Sequence, residues 1–220
     1  MLKHLGQHAL KFLTTLLNLS IKTLEIPNIW KVGKVIPIHK PGKPVDQGNS
    51  FRPISLLSPL AKLAEKLILP SMNEHITPAS HQHGFREHHC TVTALHQIQH
   101  FIQSGLNSAR PHKRVIMVAL DISKAFDNVN LGILLHVLEL SSLPNHLKRW
   151  ISGYLQGRYS YVEFRNTKSK LRKSKQGVPQ GGVLSPQLFN LYLQNISQPG
   201  MLGYDRNQDL QFLSTKIRRS

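Results

Sequence analysis

Cys90 is the only cysteine in this 220-residue sequence. One thiol cannot close an internal disulfide, and it cannot supply a multi-cysteine zinc module. A reducing compartment is compatible with that usage. Acidic residues are scarce too: 11 Asp and Glu stand against 28 Lys and Arg, a formal charge of +17. That balance points to a polyanionic partner, nucleic acid first and an anionic membrane surface second. Long apolar runs are missing. The most apolar stretch, residues 10–24, carries Lys11 and Lys22 and falls short of the ~20 apolar residues a membrane span needs. Lys11 also interrupts any signal-peptide core. The expectation is a nuclear or cytoplasmic protein with no membrane partner. No internal repeat or low-complexity segment is present.

Apolar residues make up 40% of the chain and charged residues 18%, which suits a folded domain, or a piece of a larger one, rather than a disordered chain. Leu5, Ala9, Leu10, Leu13, Leu16, Leu17, Ile21 and Leu24 recur at helical spacing, and Pro27 closes that run. Residues 30–39 (WKVGKVIPIH) predict a strand, with Pro37 consigning it to an edge or a bulge. Residues 40–50 are a loop by their Pro, Gly and Asn content. Ser58-Pro59 predicts a helix start, Leu60, Leu63, Ala64, Leu67 and Ile68 its buried stripe, and Pro70 its end.

Further helices are expected over 91–106, with Val92, Leu95, Ile98 and Ile102 on one side, and over 131–140 and 145–155. A last one starts at Ser185-Pro186. Residues 115–120 (VIMVAL) suit a strand buried on both faces. Residues 158–176 predict a basic hairpin turning at Asn166.

Asp121 follows the apolar run. A carboxylate at the mouth of a buried strand is placed to hold a hard cation, and equally to cap a helix. The glycines of residues 177–182 (GVPQGG) suit either a plain turn or close approach of backbone to a ligand. Residues 81–90 (HQHGFREHHC) gather His81, His83, His88, His89 and Cys90, but their spacing fits no standard zinc module. Lys40 and Lys43 serve either phosphate or solvent. Lys168, Lys170, Arg172, Lys173 and Lys175 form either a strand-phosphate contact or a solvated charged face.

Taken together, residues 119–129 (ALDISKAFDNV), 176–192 (QGVPQGGVLSPQLFNLY) and 26–58, with Phe51-Arg52-Pro53-Ile54-Ser55 inside it, resemble reverse transcriptases of the non-LTR retrotransposon (LINE/jockey-like) type. That resemblance implies an α+β fold: the fingers and partial palm of a right-hand polymerase, helix-rich, with a small incomplete sheet and no thumb. It implies an N-terminal helical extension over 1–25, a fingers-like region over 26–110, a partial palm over 111–199 and a divergent tail over 200–220. Asp121 then occupies the position of the catalytic, metal-binding carboxylate, and the carbonyl of Ile122 contacts the same Mg²⁺. Phe126 is a steric gate beneath the sugar of the incoming nucleotide, and Asp127 a hydrogen-bonding residue. Gln180 contacts nucleotide or template, Arg52 lies near the triphosphate, and Lys40 is a weaker candidate for that work. Residues 82–86 resemble the template-facing finger motif, which places Arg86 near template phosphate. Lys168, Lys170, Arg172 and Lys173 are expected to meet the RNA template or DNA primer.

The family's second metal motif, an adjacent aspartate pair, has no counterpart in residues 200–220, where Asp205 and Asp209 stand apart. The sequence therefore predicts an RNA-directed DNA polymerase domain cut off before its two-metal site is complete, inactive as it stands and marginally stable. The alternatives are a basic nucleic-acid-binding fragment without catalysis and the product of a decayed element.

Overall fold

Serine followed by proline opens two of the helices. Proline at the first turn loses no helical hydrogen bond, and its fixed φ suits the helix. The computed structural model describes residues 4–107, 115, 117, 119 and 121–196. In chain order, α1 is Gln7–Thr23, and a 3-10 turn at Asn28–Lys31 leads into β1 (Val32–His39). A short turn at Gly48–Ser50 precedes β2 (Phe51–Leu56). Then come α2 (Pro59–His75), α3 (Thr91–Leu106), α4 (Leu131–Leu140) and α5 (Asn145–Leu155). The hairpin strands β3 (Tyr159–Phe164), β4 (Thr167–Lys168) and β5 (Arg172–Lys173) follow, and α6 is Ser185–Ile196. The fold is α+β, as the resemblance implies. Neither serine hydroxyl caps its helix: Ser58 makes no side-chain cap bond, and the Ser185 hydroxyl donates to the Pro179 carbonyl at 2.8 Å.

The sheet is mixed, in the order β2-β1-β3-β4, with β5 also on β3. β1 pairs antiparallel with β2, and parallel with β3 over Val32–Val35. Parallel pairing requires a long crossover, here α2 through α5, so the sheet joins the region before residue 110 to the region after it.

Four expectations need correction. β1 is an interior strand, not an edge. Pro37 lies past Val35, where the β3 pairing ends, so its missing N–H is not called on there; across β2 it faces Pro53. Pro70 does not end α2, which continues to His75. Ile68 and Met72 on either side of it are 1% and 0% exposed, and their anchoring in the core offsets the lost hydrogen bond. Leu67 is half exposed; the buried stripe is Ala61, Ala64, Glu65, Ile68 and Met72. The buried strand of residues 115–120 is not found at its described positions. Val115, Met117 and Ala119 carry no strand pairing, and Met117 is 68% exposed. They belong to none of the ladders among the described strands, and a strand without a ladder leaves its backbone groups unpaired. Residues 116, 118 and 120 lie outside the described residues. Along the apolar side of α3 expected from the sequence, Val92 and Leu95 are exposed, Ile98 and Ile102 are half-buried, and Ala94 is the buried residue of the helix.

The core is one cluster drawn from α1, α2, α4, α5, α6, Trp30 of the 3-10 turn, and the connecting residues Ile76, Ala125, Val129, Leu143, Val178 and Leu184. Glu65, fully buried, sits inside it. Its Oε1 accepts from the Tyr154 hydroxyl at 2.7 Å and its Oε2 from the Leu184 backbone N–H at 2.8 Å. A carboxylate belongs at that second place, because the unpaired amides of a helix start carry partial positive charge. Tyr154 stacks on Trp150, whose Nε1 donates to Ser20 of α1. One polar chain thus ties α1, α5, α2 and α6 together.

Glu65→Ala would leave the phenol and the amide buried without acceptors. The expected loss is about 3 kcal/mol, read from urea denaturation midpoints, while Leu67→Ala stays within about 1 kcal/mol. Burial pushes the Tyr154 phenol well above its ordinary value; Arg158 opposes that shift and Glu65 adds to it. The folded state therefore favours the neutral phenol. Its contribution to stability is complete below about pH 10 and is lost as the pH rises beyond it. Tyr154→Phe should flatten the alkaline fall in stability measured by denaturation at a series of pH values.

Candidate nucleic-acid site

Gly177 and Gly181 adopt φ of 87° and 126°, values open to glycine and strained for other residues. Space demands glycine as well. A Cβ on Gly177 would lie 2.7 Å from the Asp127 carbonyl oxygen, and one on Gly181 would lie 2.5 Å from that of Ser55. The close approach is held by hydrogen bonds. Gly177 N–H donates to Val129 O and Val178 N–H to Phe126 O, both at 2.8 Å, and Ser55 N–H donates to Gln180 O at 2.7 Å. The glycine-rich loop is therefore clamped between the 126–129 loop and strand β2. The Gln180 side chain completes the clamp, its Nε2 donating to Asp127 Oδ2 at 2.9 Å.

Phe126 points the other way from this junction in the hydrogen-bond sense: its carbonyl serves Val178, while its half-buried ring stacks on Phe189 of α6 at 5.0 Å and meets the edge of Phe85 at 5.7 Å. Phe85 belongs to the loop before α3, and that loop is itself fastened to α6. Gln82 Nε2 donates to Asn190 Oδ1 at 3.0 Å, and Asn190 Nδ2 donates to Gly84 O at 3.0 Å. All the motif segments singled out in the sequence, far apart along the chain, thus meet around Gln180, Asp127 and Phe126.

Not every candidate residue joins them. Asp121 and Ile122 are exposed, outside any helix or strand. No group of three or more His, Cys, Asp or Glu residues suited to a metal ion occurs among the described residues. The described side chains therefore do not fit a Mg²⁺ centre, and Asp205 and Asp209 lie outside the described residues. Arg52 is exposed on β2, opposite Ile38. Lys40 Nζ is drawn onto the Asn49 carbonyl at 2.8 Å, bracing its own loop. Arg86 donates to the Ala79 carbonyl at 3.1 Å.

The histidine cluster is structural where it can be followed. The two ring nitrogens of His83 engage Thr93 and Gln97 of α3, at 3.0 and 2.6 Å. Cys90 caps that helix, and hydrogen bonds from the Thr93 and Val92 amides lower its thiol pKa.

The hairpin keeps its charge in solvent. Lys168, Lys170, Arg172 and Lys173 are all exposed. Glu163, the acid of β3, takes Lys34 at 2.5 Å and Lys168 at 3.6 Å. The hydrogen bond from Lys34 is the chief cause of its lowered pKa. Arg158 opens the same hairpin but is buried, its guanidinium 4.6 Å from the centroid of the Tyr154 ring. Its position at the head of a basic run suggests exposure, and only the packing reveals otherwise.

The loop geometry sets an expectation. Gly181→Ala should destabilise the chain by about 2 kcal/mol or more. Gly48→Ala, where a Cβ meets nothing within 4 Å, should leave the denaturation midpoint nearly unchanged.

Comparison with known proteins finds a match to the family described as "Reverse transcriptase (RNA-dependent DNA polymerase)" over residues 38–212. The chain is 37% identical, over 212 residues, to the probable RNA-directed DNA polymerase from transposon X-element of Drosophila melanogaster, covering 94% of this chain and 23% of that protein. It is 34% identical over 203 residues to the probable RNA-directed DNA polymerase from transposon BS of the same fly, covering 90% and 22%. It is 33% identical over 197 residues to the RNA-directed DNA polymerase from mobile element jockey, again of Drosophila melanogaster, covering 87% and 21%. The chain spans less than a quarter of the length of these curated relatives.

Proposed function

This chain belongs to the reverse transcriptase (RNA-dependent DNA polymerase) family, as a domain of the non-LTR retrotransposon kind, and on that premise we propose that it is a strand- and nucleotide-holding part of an RNA-directed DNA polymerase. The observation that carries this reading is the convergence of the motif segments on the clamp of Gln180, Asp127 and Ser55 beside the Phe126 ring. A nucleotide needs a rigid floor, and Phe126 supplies one. Its ring is wedged between Phe189 and Phe85 and has little freedom to yield to a 2′-hydroxyl. Gln180 is fixed by Asp127 in one amide orientation, which leaves its carbonyl oxygen free of that bond.

Arg52, with its forked guanidinium, suits the triphosphate. The partner for Lys168, Lys170, Arg172, Lys173 and Arg86 is the phosphate backbone of an RNA template or DNA primer. Contacts of that kind release counterions and weaken with salt.

Mg²⁺ enters this reading only through Asp121 and the Ile122 carbonyl. Two-metal nucleotidyl transfer needs ligands for both ions, and no group of three or more His, Cys, Asp or Glu residues suited to a metal ion occurs among the described residues. These 220 residues by themselves are therefore expected to bind a template–primer without extending it. That absence, together with the exposed hairpin, favours the second reading, a basic nucleic-acid-binding module.

The deciding measurement is primer extension on an annealed RNA template and DNA primer with deoxynucleotides and Mg²⁺, beside an Asp121→Ala control. Folded protein is expected to give no extension. Extension that the substitution abolishes would overturn the proposed inactivity. In the same preparation, changing Lys168, Lys170, Arg172 and Lys173 to alanine should reduce the slope of log binding constant against log salt. The expected reduction is about 0.7 per lost contact for a single strand; an unchanged slope would remove the hairpin from the interface.

A further inference from the structure

His39, Phe51 and Phe164 form a chain of aromatic rings on one face of the sheet. His39 and Phe51 face each other across β1 and β2, with ring centroids 5.3 Å apart. Phe51 meets Phe164 of β3 at 6.0 Å, and both contacts are edge to face. Cross-strand pairing accounts for the first contact, but it does not bury the group. Phe164 is 44% exposed, and His39 and Phe51 are half-buried. Neither phenylalanine belongs to the core cluster or to the residues packed against it.

Side chains alternate between the two faces of a strand. Pro37, Pro53 and Val162 therefore share the face of the rings, and Lys34 and Glu163, which pair with each other, share the opposite one. The acid of β3 is thus turned away from the rings, while cations adjoin them. The exposed Arg165 sets its guanidinium 5.4 Å from the centroid of the Phe164 ring. His39 Nε2 donates to the Lys43 carbonyl at 2.8 Å, which draws the loop of Lys40 and Lys43 against the same group. Asp46 is the one acid of that loop. The face is aromatic and apolar, with a basic rim.

The same face leads to the clamp without being part of it. A cavity between the sheet and the glycine-rich loop has Val35, Pro53, Ser55, Arg158 and Gln180 among its lining residues, and none of the three rings. His39 lies four residues beyond Val35 on β1, which sets it about 13 Å from that end of the cavity at ~3.3 Å per residue.

We propose that Phe51, Phe164 and His39 are a stacking platform for the unpaired bases of a single strand that passes over the open face of the sheet. Every base has a π face, so aromatic side chains receive single strands whatever their sequence, and arginine adds a cation–π contribution. The occupant is chosen by the pairing of two chemistries. An unpaired strand brings π faces for the rings and phosphates for Arg165, Lys40 and Lys43, whereas a duplex keeps its bases in its own stack. The inference rests on the strand-holding reading above and adds bases to it, since the hairpin cations of that reading meet phosphate alone. It requires neither a metal at Asp121 nor polymerisation.

The test is fluorescence anisotropy of the full chain with two labelled oligomers of about 12 nucleotides, at fixed ionic strength. One is oligothymidylate. The other has the same phosphates and no bases. The chain is expected to bind the first about tenfold more tightly than the second. Phe51→Leu with Phe164→Leu should bring that preference below about twofold, while the dependence of binding on salt stays unchanged because the phosphate contacts remain. Should the double variant lose its cooperative unfolding transition, Phe164→Leu alone decides, at a ring outside the core, and should weaken oligothymidylate binding about threefold. Equal affinity for the two oligomers, or a preference that survives in the folded variant, overturns the platform and leaves the strand-holding reading standing. Binding of neither oligomer overturns both. A dimer of the chain that Phe164→Leu converts to monomer, in sedimentation without oligomer, would make this face an interface between copies and also overturn the platform.

Discussion

The buried carboxylate of Glu65 is the constraint on which the rest of the structure depends. It enters the core from α2 and accepts from the phenol of Tyr154 on α5 and from the backbone N–H of Leu184 at the head of α6. A charge so far from water persists only where its oxygens are met by donors, so three helices must hold one arrangement. The loop that carries Gln180 ends at the amide Glu65 receives. The position of that loop, and with it the clamp on Asp127, follows from a residue in no catalytic motif.

From that anchor outward the site is a sequence of backbone close approaches. Gly177 against Asp127 and Gly181 against Ser55 bring the loop to distances that a Cβ would forbid. Hydrogen bonds at 2.7–2.8 Å keep it there. Rigidity of this kind suits the proposed role of holding a nucleotide against one amide orientation and one ring face. Charge is arranged differently. The lysines and arginine of the hairpin remain in solvent, where the proposed strand contacts would act at long range, while Arg158 at the head of the hairpin is drawn inside, as Lys148 of α5 is.

Local chemistry explains which parts of the fold were legible in the sequence. α4 and α5 begin and end, and α6 begins, where apolar spacing, asparagine, proline and serine say they should, because those signals act within one helical turn. The hairpin at Asn166 is equally local. Pro70 misleads because its local penalty is outweighed by Ile68 and Met72 in the core. Pro37 misleads because the pairing that decides its neighbours comes from β3, more than a hundred residues onward. The apolar run at 115–120 suits a buried strand, yet residues 115, 117 and 119 join no ladder among the described residues.

The sequence by itself determined the family, the basic character, the helices and the residue types at the site. Motif spacing along the chain is a local property, and glycine, proline and aromatic positions announce themselves. Tertiary structure alone decided who meets whom. It set Gln180 on Asp127, Phe126 between Phe85 and Phe189, Glu65 beneath Leu184, and Arg158 in a cavity rather than on the hairpin's surface. Each of those pairs joins segments 40 to 120 residues apart, where no local rule reaches. Burial then decides whether a charged side chain serves solvent, a partner or the fold.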